Sequence, residues 1–197
     1  MRERPPPRLW LVRHARPLIG PGICYGAQDV PADDGHSRQS ALALSGALPD
    51  SLALVAHSPL SRCGQLARAW SAHRAAPRAQ ADARLREMDF GNWEGQRWDA
   101  IPRTELDAWT DRFASYRPGG GEPLQAMLGR VSNALRDAHA ASLENAGRDV
   151  VWITHAGVIR CVLWLGEHDD SIPRACDWTM PAPEFGKWFS VPLTTPQ

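Results

Sequence analysis

The sequence predicts an α/β fold, a three-layer α/β/α sandwich around a mostly parallel central sheet. Two observations carry that prediction. Three short, nearly continuous apolar runs, LWLVRH (9–14), LALVAH (52–57) and VVWITH (150–155), have strand length and polar or turn residues at their borders. That is how strands buried on both faces of a parallel sheet read. Between them lie segments with apolar residues at helical spacing, and strands alternating with helices place ligands beyond the carboxyl ends of the strands. All three runs end in histidine, which puts His14, His57 and His155 at that edge.

The elements follow in order along one domain spanning residues 1–197. MRERPPP (1–7) is charged and proline-rich, without the apolar stretch of a secretory signal, and reads as a flexible extension. The first run ends at Arg13 and His14. After the second, Ser58-Pro59 suits a helix start, with Ser58 as N-cap and Pro59 in the first helical position. Leu60, Cys63, Leu66, Ala67 and Trp70 then recur at helical spacing. From about 87 to 123 the pattern loosens. Trp93, Trp98, Trp109 and Phe113 are interspersed with charges before PGGGE (118–122), and this stretch reads as a helical lid or wall over one side of a site. Glu122-Pro123 opens a helix with Leu124, Met127, Leu128, Val131 and Leu135 on one face. A third helix follows Gly157 through Val158, Ile159, Val162 and Leu163. KWFSVPL (187–193) alternates and reads as an edge or late strand.

Bulk properties exclude more than they identify. Lys plus Arg and Asp plus Glu number 22 each, so no net field points to nucleic acid or an anionic membrane. No apolar run approaches membrane-spanning length. Cys24, Cys63, Cys161 and Cys176 are scattered, which reads as reduced thiols in a cytoplasmic protein and not as a disulfide framework or zinc knot. Glu167, His168, Asp169 and Asp170 read as a solvated loop. Oligomeric state is not legible.

The strand-end residues Arg13, His14, Arg62 and His155 form a set suited to a phosphoryl group. Arg62 falls in the first turn of its helix, where the helix N-terminus also attracts an anion. Guanidinium forks bind phosphate oxygens bidentately at every relevant pH. A neutral histidine among them can act as nucleophile. Taken singly, each histidine could be a hydrogen-bonded strand end and each arginine an ion-pair residue; together they suit catalysis better.

Four motifs in order, R-H near the N-terminus, S-P-L-S-R (58–62), a Glu before F-G-N-W-E-G, and T-H-A-G-V-I-R (154–160), resemble the histidine phosphatase superfamily, the phosphoglycerate mutase-like group. The resemblance runs from about Leu9 to Arg160. It implies that His14 is phosphorylated during turnover, that Arg13, Arg62 and a protonated His155 hold the phosphate, and that Glu87 is the proton donor. Asp89, Glu94 and Glu122 are neighbouring candidates for that last role. The implied activity is hydrolysis of a small phosphorylated metabolite without metal or other cofactor, because fixed cations supply the charge. His57, Arg16, Tyr25 and Trp93 are candidates for the substrate rim, with structural roles open for His57 and Trp93.

Departures from the family pattern narrow the reading. Ala15 and Arg16 follow R-H, Gly20 stands where many members carry Asn, and HSRQSALAL (36–44) replaces the usual L-T-x-x-G opening. A smaller polar inventory disfavours a mutase, which must hold a polyanion in two orientations. GICYGAQDVPA (22–32) is similar to proteins related to α-ribazole phosphatase, the cobalamin-pathway enzyme, which makes α-ribazole 5′-phosphate a specific alternative substrate. A non-catalytic phospholigand-binding module is the alternative of another class; it would need neither nucleophile nor acid.

Overall fold

The computed structural model describes residues 6–74, 77–168 and 171–193. Five strands form one sheet in the order β3-β2-β4-β1-β5. They are β1 (Arg8–Arg13), β2 (Leu52–His57), β3 (Gln80–Ala81), β4 (Asp149–Thr154) and β5 (Trp188–Pro192). All pairings are parallel except that of β1 with β5. The three apolar runs are thus the central strands, and KWFSVPL supplies the antiparallel edge. The two-residue β3 carries too little pattern to read from sequence.

Alternation within each strand builds the three layers. Val151 and Ile153 of β4 face one layer together with Val12, and there meet Leu44 of α1 (Asp34–Ala47) and Leu66 and Trp70 of α2 (Ser61–Ser71). Val150 and Trp152 face the other with Leu9 and Leu11. They pack on Met127, Val131 and Leu135 of α4 (Leu124–Glu144) and on Val158, Ile159 and Val162 of α5 (Ala156–His168). Each such large apolar side chain contributes roughly 1.5–3 kcal/mol on burial.

Several boundaries differ from expectation. Ser58 and Pro59 precede α2, whose N-cap is Leu60 with no side-chain cap. The cap comes from a distant loop: Asp29 accepts from the Ser61 amide at 2.6 Å and from its hydroxyl at 2.7 Å. A carboxylate at the N-terminus satisfies orphan donors wherever in the chain it originates. HSRQSALAL lies within α1, capped by Asp33 through the His36 amide. α5 begins at Ala156, one residue ahead of Gly157.

The stretch from 87 to 123 holds one α-helix, α3 (Arg103–Asp111); the remainder is short 3₁₀ turns and connections. Prolines at 102, 118 and 123 and several glycines interrupt longer helices. Its own aromatic cluster, Trp93, Trp98, Trp109 and Tyr116 with Cys24 and Ile101, holds it in shape. Gly121 is needed there: an added Cβ would lie 2.1 Å from the Asp89 carbonyl oxygen.

Of the N-terminal extension, residues 1–5 lie outside the described residues, as do Asp169 and Asp170 of the acidic loop; the Pro7 carbonyl accepts from the Leu193 amide at 2.8 Å. Cys24, Cys63 and Cys161 are buried free thiols and Cys176 is exposed. Among the described residues no helix is long and apolar enough to cross a membrane.

Candidate active site

Register brings the strand ends together. Arg13 pairs with Thr154, and His57 with Ile153, so β1, β4 and β2 end side by side. The chain leaves each strand over its neighbour: the His14 amide donates to the Thr154 carbonyl at 2.9 Å and the Ser58 amide to that of Ile153 at 3.0 Å. His14 and His155 consequently face each other, with ring centroids 5.1 Å apart.

His14 is buried, and its Nδ1 lies 2.7 Å from the Ala15 carbonyl oxygen. A carbonyl only accepts, so Nδ1 carries the proton and Nε2 keeps its lone pair. Burial first, then the Arg62 charge, push the ring from an ordinary pKa of 6.5 down to about 3. It is neutral throughout the physiological pH range.

Arg62 is fully buried. Its Nε donates to His155 Nδ1 at 3.2 Å, and its terminal nitrogens to the Gln28 carbonyl at 2.9 Å and the Gly26 carbonyl at 2.6 Å. Three bonds leave two of the five guanidinium N–H groups for an anion. The 22–32 loop is therefore the scaffold of Arg62: it supplies both carbonyls, the Asp29 cap of α2, and the Tyr25 ring 5.3 Å from the guanidinium carbon.

Arg13 lies with its guanidinium carbon 3.9 Å from the centroid of Phe185 and donates to the Pro183 carbonyl at 3.1 Å. Its Nε is buried without a hydrogen-bond partner. A buried, unpaired cationic donor is costly unless a ligand meets it. Tyr25 and Glu87 both act electrostatically on Arg13, so they share its neighbourhood.

Glu87 is anchored at the start of α5. One carboxylate oxygen accepts from the Gly157 amide at 3.0 Å and the other from the Met88 amide at 3.0 Å. Gly157 is required by this approach, since a Cβ there would lie 2.1 Å from the carboxylate. The other acids are engaged elsewhere: Glu94 clamps the amides of Ala27, Gln28 and Phe90, Asp89 accepts from Gly91, and Glu122 pairs with Arg130.

A model of the histidine phosphatase superfamily (branch 1) matches residues 9–175. The chain belongs to the histidine phosphatase superfamily. Among solved structures it is similar to the protein TTHB049 from Thermus thermophilus, at 31% identity over 93% of this chain and 92% of that one, with a TM-score of 0.64. It also shares its fold with a mycobacterial glucosyl-3-phosphoglycerate phosphatase, at 23% identity, 93% and 89% coverage and a TM-score of 0.77. No curated protein matches the chain.

Within this member of the superfamily the other expected positions divide. Tyr25 joins the cluster through Arg13 and Arg62. His57 bonds the Ser58 carbonyl through Nδ1 at 2.8 Å, and a Cβ on Gly64 of α2 would lie 3.9 Å from its ring, so it belongs to the strand–helix junction. Arg16 is exposed; its amide donates to His36 Nδ1 at 3.0 Å and its carbonyl accepts from Asp33. Trp93 is a core residue and not a rim residue: it is buried among Trp98, Trp109 and Tyr116, with Nε1 donating to Glu105 at 2.6 Å.

The protonated His155 expected from the resemblance is not what the structure holds. Its Nδ1 accepts from Arg62, so the neutral ring's one proton sits on Nε2, 2.8 Å from the Ser58 hydroxyl. Complete burial, then the Arg62 charge, drive its pKa well below 6.5. His155 thus aligns Arg62 from behind, and Ser58 aligns His155. Sequence reading assigns Ser58 to a helix cap and passes over Phe185, whose loop carries no periodic signal.

Two buried neutral histidines make stability acid-sensitive. Both folded pKa values lie below the unfolded value of about 6.5, so the unfolded chain binds protons that the folded one refuses. Stability contributed by the neutral rings is complete above that pH and is lost as pH falls below it, by roughly 3 kcal/mol per pH unit for the pair. Thermal melting should drop by several degrees between pH 7 and pH 5; a flat profile would show that the rings are not held neutral.

Proposed function

We propose that this protein is a metal-independent phosphatase that hydrolyses a small phosphomonoester through a phosphohistidine at His14. The observation that carries the reading is the unprotonated Nε2 of His14, fixed by the Ala15 carbonyl, with the charges of Arg62, from a distant part of the chain, and of adjacent Arg13 acting on the ring. In the first step Nε2 attacks phosphorus and the P–O bond to the alcohol breaks. Arg13 and Arg62 stabilise the charge spread over the equatorial oxygens. Glu87 gives its proton to the departing oxygen; both carboxylate oxygens keep a second lone pair beyond their backbone bonds, so either can carry one. In the second step water attacks phosphorus, Glu87 takes its proton, and the N–P bond breaks to release phosphate and restore His14.

Brief incubation with substrate followed by an alkaline quench should leave phosphate on His14, read by mass spectrometry, with and without excess EDTA. Turnover abolished by EDTA and restored by a divalent metal would overturn the reading, as would a phosphorylated residue other than His14.

Glu87→Gln should lower kcat on an alkyl phosphate by ~10²–10⁴-fold, the contribution of a positioned acid. On p-nitrophenyl phosphate, whose leaving group needs no proton, the first step should suffer far less. Equal losses on both esters in burst-phase measurements would remove Glu87 from the leaving-group side.

The 22–32 segment that is similar to α-ribazole phosphatase relatives is used here to hold Arg62 and cap α2. It therefore speaks for the phosphate site and not for the alcohol, and α-ribazole 5′-phosphate enters as one member of a substrate panel.

A further inference from the structure

Glu87 borders a cavity of about 230 Å³ whose other walls are largely apolar. Phe90, Trp109, Phe113 and Trp178 line it, with Leu124 and Met127 from α4; its charged members are Glu87 and Arg160. The cavity adjoins the catalytic cluster through Glu87. Gly157, which holds Glu87, is part of its lining, and Arg160 acts electrostatically on Arg13. The aromatic walls are set at differing angles: Trp109 and Phe113 stack at 27° with centroids 5.8 Å apart, while Phe113 meets Trp178 edge-on at 62° and 5.9 Å. Trp109 also has its indole N–H buried without a partner.

The cavity is partly open, and its apolar walls offer a guest ring area to bury. Its volume falls below that of a drug-sized site and suits one flat ring system. We propose that this cavity receives the alcohol half of the substrate, and that the substrate class is a phosphomonoester whose alcohol carries a neutral aromatic group. The proposal rests on the phosphatase reading, because it is Glu87, the donor to the leaving oxygen, that fixes the cavity on the leaving-group side. Rings set at mixed angles accept an aromatic guest by stacking and by edge contact, and the Arg160 guanidinium adds a cation–π face. A phosphoglycerate would instead bury a carboxylate among four aromatic walls with one arginine to meet it.

The test compares esters with alkoxide leaving groups, so that chemistry is held similar: benzyl phosphate and 2-naphthylmethyl phosphate against glycerol 3-phosphate and 3-phosphoglycerate. The aromatic esters should show kcat/KM roughly 10–100-fold higher, the discrimination an apolar pocket supplies. Phe113→Ala should collapse that ratio toward one, and Phe113→Leu, which keeps apolar volume, should lower it partway. A merely structural effect would depress every ester in parallel and leave the ratio standing, which overturns the proposal. Equal kcat/KM across the wild-type panel overturns it too, while the phosphatase survives. Failure to turn over any of the four esters overturns the phosphatase reading itself and this proposal with it.

Discussion

Hydrolysis of p-nitrophenyl phosphate should fall to background when His14 is replaced by alanine, while far-ultraviolet circular dichroism should keep its wild-type form. Removing a covalent nucleophile costs on the order of 10⁶ in kcat where the remaining site still binds and polarises the substrate. The fold has little to lose. The ring's hydrogen bond is to the carbonyl of the adjacent residue, Ala15, so truncation unpairs one short-range acceptor. The variant carries a second signature. It deletes one of the two buried neutral histidines, so its acid-side loss of stability should be about half as steep as that of the wild type. A His14→Ala protein that hydrolyses within tenfold of the wild-type rate would end the phosphohistidine mechanism.

Arg62→Ala is expected to lower kcat/KM by ~10²–10³-fold, as the loss of one preorganised charge-stabilising donor group does elsewhere. Here stability falls as well. The guanidinium satisfies the carbonyls of Gly26 and Gln28 and Nδ1 of His155, and each buried group left unpaired costs about 1–3 kcal/mol. Arg62→Lys separates the two effects. It restores a positive charge but not the planar fork, so catalysis should recover only in part. Inorganic phosphate should raise the melting temperature of the wild type by mass action and leave that of Arg62→Ala unmoved. Unchanged kcat/KM in the alanine variant would remove Arg62 from the anion site.

Much of the fold was legible because burial on both faces writes itself into sequence as short continuous apolar runs. LWLVRH, LALVAH and VVWITH are the three central strands, and the helical spacing after Ser58 and Pro123 marks α2 and α4. The segment from 87 to 123 was legible only as an excursion. Its aromatic residues satisfy one another in a small separate cluster built on turns, and turns carry no period. For the same reason the pattern left Trp93 open between rim and packing, and the structure buries it.

The sequence by itself determined the layered architecture and the edge at which Arg13, His14, Arg62 and His155 would gather, because residue type and order suffice for both; the family resemblance added Glu87 as the expected proton donor among four candidate acids. Only the tertiary structure decided protonation and use: that His155 is a neutral support for Arg62, that the 22–32 loop is its scaffold, that Glu87 alone among four acids reaches α5, and that an aromatic cavity opens beside it. Those facts depend on burial and on hydrogen bonds between residues dozens of positions apart, and neither quantity exists until the chain has folded.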